Sequence, residues 1–278
     1  MNRFLKRAWA EIDLDALTHN YNEIKKLAKG KEILAVVKAN AYGHDDKAVC
    51  LKLQDLGVKY YGVSNLWEGE KLRQHGITGT ILTFGYTDED YFDELLEYGI
   101  TQTAGSVQYA KELSDYAVSK GVKLPVHIKV NTGMTRVGID TEEEMLDILA
   151  MPGLDCKAAY THFAAADSFD EDDVQYTNKQ QEKLMKIASN KGLLIHSQNS
   201  GGIVYHSDFG GDIVRAGVIL YGHCPNYPLE VPFEMKSVMT VKSVVSQLKT
   251  IPAGTQISYG RTYTADKEMT VEDNAGTD

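Results

Sequence analysis

The sequence predicts an α/β protein, a TIM-type (β/α)8 barrel followed by the start of a β-domain. Three observations point there. A unit of helical pattern, glycine and short apolar strand recurs along the chain. The strands it marks, with two more, reach eight. From about Val231 the pattern changes to partial alternation and turns.

The unit appears as Lys29-Gly30 before Ile33–Val37, Leu56-Gly57 before Tyr60–Val63, His75-Gly76 before Thr80–Phe84, and Tyr98-Gly99 before Ile100–Thr103. It returns as Lys120-Gly121 before Leu124–Val130 and Lys191-Gly192 before Leu193–Gln198. Glycine just past a helix adopts the left-handed conformation that ends it. Helix starts are marked by Thr87 with Asp88 to Asp90, by Ser106, and by Thr141 with Glu144 at capping-box spacing. Leu17, Tyr21, Ile24 and Ala28 keep the helical period. Cys156–Phe163 and Ile213–Tyr221 complete the eight predicted strands. Short, continuously apolar strands suit a parallel sheet covered by helices. A doubly wound open sheet competes, and the count of eight favours the barrel.

Beyond it, Met235–Leu248 predicts a long strand, Pro252-Ala253-Gly254 a turn, and Gln256–Thr264 the returning strand of a hairpin. The expected division is therefore a barrel over 8–232, a partial C-terminal β-domain over 233–271, and a disordered tail over 272–278, which is acidic and lacks large apolar side chains.

Composition narrows the function class. The chain is 43% hydrophobic and 24% charged, as in a soluble globular protein. A net charge of −10 argues against nucleic acid or an anionic membrane as partner, while leaving room for a local basic pocket. Cys50, Cys156 and Cys224 are far apart with no CxxC spacing, so they predict reduced thiols and no metal site. No apolar run has the length of a signal peptide or a membrane span, which predicts a cytoplasmic protein.

Barrel enzymes place their chemistry at the carboxyl ends of the strands. There the sequence carries Lys38 with Tyr42 and His44, Lys129 with Arg136, His162, Asn199-Ser200-Gly201-Gly202, and Arg215-Ala216-Gly217-Val218. Each has an ordinary reading. A lysine often ends a strand where a solvated loop begins, a histidine is often a satisfied core residue, and an arginine is often half of an ion pair. Asn199 to Gly202 follows the seventh strand, where barrels build phosphate sites from backbone N–H groups and hydroxyls. Together these residues predict an electropositive floor suited to an anionic ligand.

Taken in order, the segments resemble the alanine racemase family, among the fold-type III pyridoxal-phosphate enzymes. The likeness rests on Ala8-Trp9-Ala10-Glu11-Ile12-Asp13-Leu14 and on Ala35-Val36-Val37-Lys38-Ala39-Asn40-Ala41-Tyr42-Gly43-His44. It continues through Lys129-Val130-Asn131-Thr132-Gly133-Met134-Thr135-Arg136, Thr161-His162-Phe163-Ala164, Val214-Arg215-Ala216-Gly217, and Ile257-Ser258-Tyr259-Gly260-Arg261.

The resemblance implies that Lys38 carries pyridoxal phosphate covalently and acts as one of two acid–base groups that interconvert L- and D-alanine for the cell wall. Tyr259, supplied by the other subunit of a homodimer, matches the second. A tyrosine serves as a base only where a nearby cation draws its pKa below the ordinary ~10. Tyr42, Ser200, Gly217 and Val218 match the phosphate-binding set, and His162 and Asn199 the residues beside the cofactor ring. Arg215 matches the arginine at the pyridine nitrogen, Arg136 the substrate-carboxylate ligand, and Lys129 a lysine often carbamylated.

The family continues into a fuller β-domain with a second active-site tyrosine, and no matching segment follows Val271. That departure predicts an inherited racemase site with reduced turnover and a weakened dimer. A barrel-only pyridoxal-phosphate carrier is the alternative from a binding class, against which Tyr259 and its hairpin speak. A serine/alanine racemase domain is another. A metal-assisted relative would need a His/Cys pair in the C-terminal region, and no His or Cys follows Cys224.

Overall fold

A computed structural model describes residues 7–226 and 231–274; the expected tail at 275–278 lies outside them. Strand β1 (Ala8–Ile12) precedes seven strands in chain order: β2 (Glu32–Val36), β3 (Tyr60–Val63), β4 (Thr80–Thr83), β5 (Thr101–Ala104), β6 (Leu124–Lys129), β7 (Leu154–Tyr160) and β8 (Leu194–His196). Next come β9 (Ile213–Ala216), β10 (Met239–Ser243), β11 (Val245–Ile251), β12 (Gln256–Ile257), β13 (Tyr263–Thr264) and β14 (Met269–Asn274). Strands β2 to β9 form one parallel sheet in the order β8-β7-β6-β5-β4-β3-β2-β9. Its two ends meet: the Asp212 N–H donates to the Ile195 carbonyl and the Arg215 N–H to that of Gln198, both at 2.8 Å. The sheet is a TIM-type barrel.

Local chemistry produces the alternation. The six glycines that end the predicted helices have φ between 56° and 89°, so each takes the turn its lack of Cβ permits. Ser106 caps the helix Val107–Ser119, and Thr141 with Glu144 forms a complete capping box on Glu142–Leu149. At the third expected start the cap is Asp88, whose carboxylate accepts from the Asp90 N–H; the Thr87 hydroxyl turns inward to Gln102 instead. Leu17, Tyr21 and Ile24 are buried along one face of Leu14–Leu27, and Ala28 is buried at its C-cap. A fully buried leucine or isoleucine contributes roughly 1.5–3 kcal/mol, so this stripe fastens the helix to the barrel. Leu34, Val36, Leu82 and Ile213 pack together inside.

The chain divides into two compact units, Asp13–Val238 and the residues up to Ile12 with those from Met239. Four expectations change. Ala8–Ile12, placed with the barrel, pairs antiparallel with β10, and Asp13 then caps the first helix and ends the strand. The predicted strand Ile213–Tyr221 stops at Ala216, because Val218–Tyr221 winds into a 3-10 turn after Gly217. The hairpin pairs differently: Ser258, Gly260 and Arg261 all have positive φ and fold Gln256–Thr264 back on itself, pairing β12 with β13. That leaves β11 to pair with β14, so Glu272, Asp273 and Asn274, expected in a disordered tail, form a strand.

Candidate active site

At the carboxyl ends of the barrel strands lies a cavity of about 550 Å³. Lys38, Tyr42, Lys129, Arg136, His162, Asn199, Ser200, Arg215, Gly217 and Val218 all line it. Lys38, Lys129, His162, Arg215, Gly217 and Val218 lie on or within two residues of strand ends, while Asn199, Ser200, Tyr42 and Arg136 lie further along the turns after β8, β2 and β6; this is the position barrel topology gives to chemistry.

Lys38 stands two residues past the end of β2, and the chain then makes a turn of unusual hand. Ala39, Asn40, Ala41 and Tyr42 have φ of 53° to 55°. Each non-glycine residue in a left-handed helix costs about 1–2 kcal/mol, so the turn must be held from outside. The Glu68 carboxylate accepts from the Ala39 N–H at 2.8 Å, and its other oxygen accepts from the N–H and hydroxyl of Ser64. Asn40 accepts from the Asp46 N–H at 3.1 Å. His44 Nδ1 lies 3.0 Å from the carbonyls of Ala41 and Tyr42, so that nitrogen carries the hydrogen. The Lys38 amine is 5.9 Å from the centre of the Tyr42 ring, which packs on Tyr221.

Three polar groups converge beside that ring. The Gly217 N–H donates to Ser200 Oγ at 3.2 Å. A Cβ on Gly217 would stand 3.3 Å from the Tyr42 hydroxyl and 3.6 Å from Ser200 Oγ. Asn199 caps the helix Ser200–Tyr205 by accepting from the Gly202 N–H, which presents Ser200 to the cavity. Burial raises the Tyr42 pKa, so its hydroxyl keeps its hydrogen as a donor.

Arg215 occupies the floor, 3% exposed. Its guanidinium donates to the carbonyls of Thr161, His196 and Ser197 at 2.7 to 3.0 Å and to His196 Nδ1 at 3.2 Å, and His162 Nδ1 stands 3.3 Å from Nη2. None of these acceptors is a carboxylate. Burial lowers its pKa to about 10, still well above neutrality. Burial and then Arg215 push His162 down to about 3, so it is a neutral acceptor. Lys129 is 8% exposed, and its buried amine has no hydrogen-bond partner. Burial, with Arg215 and Arg136 adding to it, pushes this amine down to about 6. Arg136 itself is exposed.

Tyr259 belongs to the other unit. It starts the turn Tyr259–Arg261 between β12 and β13, and its side chain is 98% exposed.

Tyr160, His196, Glu68 and Ser64 escaped the sequence reading. Tyr160 lies under two cations, with its ring centre 4.9 Å from the Lys129 amine and 5.4 Å from the Arg215 guanidinium. Its signal was period two: Tyr160 and His162 stand two residues apart and both line the cavity.

Family comparison follows the same order along the chain. Residues 12–225 match the family model described as alanine racemase, N-terminal domain, and residues 238–272 match alanine racemase, C-terminal domain. The chain belongs to the alanine racemase family. This is a family of pyridoxal-phosphate-dependent racemases. An alanine racemase of Clostridium perfringens is 38% identical, over 98% of this chain and 72% of that protein. One from Desulforamulus reducens is 37% identical, over 95% and 74%. The solved alanine racemase of Clostridium difficile superposes with a TM-score of 0.87 at 34% identity, covering 97% of this chain and 73% of that one. A histidine racemase from Leuconostoc mesenteroides reaches the same TM-score at 27% identity, over 98% and 74%. The match at 238–272 speaks against a barrel-only carrier. Among the described residues no helix is long and apolar enough to cross a membrane.

Proposed function

We propose that this chain binds pyridoxal phosphate on Lys38 and interconverts L- and D-alanine as a cytoplasmic homodimer. The observation that carries the reading is the convergence of Tyr42, Ser200 and Gly217 beside Lys38, over a floor made by a donor-only arginine. The residues fit the group. Two hydroxyls and backbone N–H groups suit a phosphate, a glycine leaves room for it, and Arg215 has its Nε–H left to offer a ring nitrogen. Tyr42, Ser200, Gly217 and Val218 would hold the phosphate, His162 and Asn199 would flank the ring, and Arg215 would face its nitrogen.

When bound, pyridoxal phosphate supplies an electron-withdrawing system that stabilises the charge left as a proton leaves the substrate's α-carbon. The Lys38 amine takes and returns that proton on one face, and the Tyr259 hydroxyl of a second copy serves the other. An exposed aromatic ring on a turn of positive φ suits a group presented to another surface. Arg215 holds its protons throughout, so it would give a ring nitrogen a hydrogen bond and no full proton. Arg136 binds the substrate carboxylate.

Lys129 is the proposed carbamylation site. A buried amine that is neutral at pH 7 can form an N–C bond to carbon dioxide and release one N–H proton to solvent, and the resulting carbamate anion would answer the nearby arginines. The barrel region is assigned to the cofactor and residues 233–271 to the partial C-terminal domain.

Borohydride reduction of the protein mixed with pyridoxal phosphate tests the central claim, followed by peptide mass mapping and chiral analysis of alanine, serine and histidine. The expected result is a label on the peptide holding Lys38 and racemisation of alanine ahead of the others. An equal label on Lys38→Ala would refute the assignment.

A further inference from the structure

Beneath Arg215 the barrel interior holds a pair of histidines that the proposed chemistry does not use. His127 lies on β6, two residues before Lys129, and is 1% exposed; His196 lies on β8 and is fully buried. His127 Nδ1 stands 3.1 Å from His196 Nε2, with the rings edge to face. The His196 ring also stacks flat on Tyr160, at 9° and 4.7 Å between centres. Its other nitrogen, Nδ1, is the one that meets Arg215 at 3.2 Å.

Hydrogen inventory decides the direction of every bond in this chain. A guanidinium has five N–H donors and no acceptor, so His196 Nδ1 must present a lone pair. Burial holds both histidines neutral, His127 at about 4 and His196 well below its ordinary value. A neutral imidazole carries one hydrogen, and in His196 it is on Nε2. The atom facing it is His127 Nδ1, which therefore accepts, leaving the hydrogen of His127 on Nε2. All the bonds run one way, from Arg215 to His196 to His127.

We propose that His127 is a positioning residue for Arg215: by accepting the Nε2 hydrogen of His196, it holds that ring in the tautomer whose Nδ1 receives the guanidinium. In the other tautomer an N–H would point at an N–H of Arg215, and His127 would face a lone pair. The consequence for cofactor binding rests on the reading that Arg215 faces the ring nitrogen. The tautomer itself rests on the geometry alone.

The test is nitrogen-15 NMR of histidine-labelled full chain without cofactor, where N–H and lone-pair nitrogens resonate in separate ranges. In the wild type His196 should show Nε2–H and bare Nδ1. His127→Leu should give a mixture of tautomers, and His127→Asn, whose side-chain oxygen can replace the Nδ1 acceptor, should restore the single form. The dissociation constant for pyridoxal phosphate should rise on the order of tenfold in His127→Leu and recover in His127→Asn, as the loss of one hydrogen bond implies. A wild-type His196 with its hydrogen on Nδ1 overturns the proposal without needing any variant, and so does an unchanged His196 tautomer in His127→Leu. If Lys38 takes no label while the tautomer is as stated, the cofactor reading fails and the positioning stands.

Discussion

Replacing Lys129 by methionine should stabilise the cofactor-free protein at neutral pH, and the gain should shrink as pH rises. Methionine keeps the length and the packing on Tyr160 while removing a buried amine that has no hydrogen-bond partner. In the folded chain this amine titrates at about 6, against the ordinary 10.5. The folded value is the lower one, so between those limits the unfolded chain binds more protons and wild-type stability climbs with pH. Below about 6 both states are protonated and the penalty is complete; above 10.5 both are neutral and it vanishes. At 1.36 kcal/mol per unit, the penalty is about 5 kcal/mol at pH 7 and about 2 kcal/mol at pH 9. Wild type should therefore gain about 3 kcal/mol on the variant between those two conditions. That change depends only on the unfolded value, as long as the folded amine titrates below pH 7. Urea unfolding of both proteins in carbon-dioxide-free buffer at the two pH values measures it. A difference between the proteins that stays constant from pH 7 to pH 9 would refute the reasoning. Added bicarbonate should then stabilise the wild type and leave Lys129→Met unmoved if the amine is carbamylated.

Three further perturbations read other parts of the site. Tyr259→Phe removes a hydroxyl from a side chain that is 98% exposed, so stability should stay within about 0.5 kcal/mol. α-Hydrogen exchange in heavy water should meanwhile fall for one enantiomer far more than for the other; equal exchange would remove Tyr259 from the reaction. Gly217→Ala places a methyl 3.3 Å from the Tyr42 hydroxyl and should raise the pyridoxal phosphate dissociation constant by about tenfold in a fluorescence titration. Glu68→Gln puts an amide NH2 where three donors now meet one carboxylate. It should cost about 1–3 kcal/mol in urea unfolding and speed hydrogen exchange at Ala39, and an unchanged midpoint would show that the left-handed turn holds itself.

The barrel and the mouth of its cavity were legible in the sequence for a physical reason. Glycines past helix ends, capping residues and apolar strands are local signals, and a residue one or two places past a strand points to one face of the barrel. Lys38, His162 and Gly217 are found that way, Arg215 from within its strand, and Tyr42 and Ser200 from the turns that follow. Strand partners in the second unit were not, because pairing β11 with β14 depends on how the turn at Ser258 to Arg261 consumes the segment between them.

What the sequence by itself determined is therefore the order of elements, the strand ends and the residue types carried there. Only the tertiary structure decided what those residues feel. Lys129 became a neutral amine because burial and two arginines surround it, and His196 and His127 became a directed pair because three strands bring them under Arg215. Charge state and tautomer depend on neighbours distant in the chain, and no periodicity within one segment encodes them.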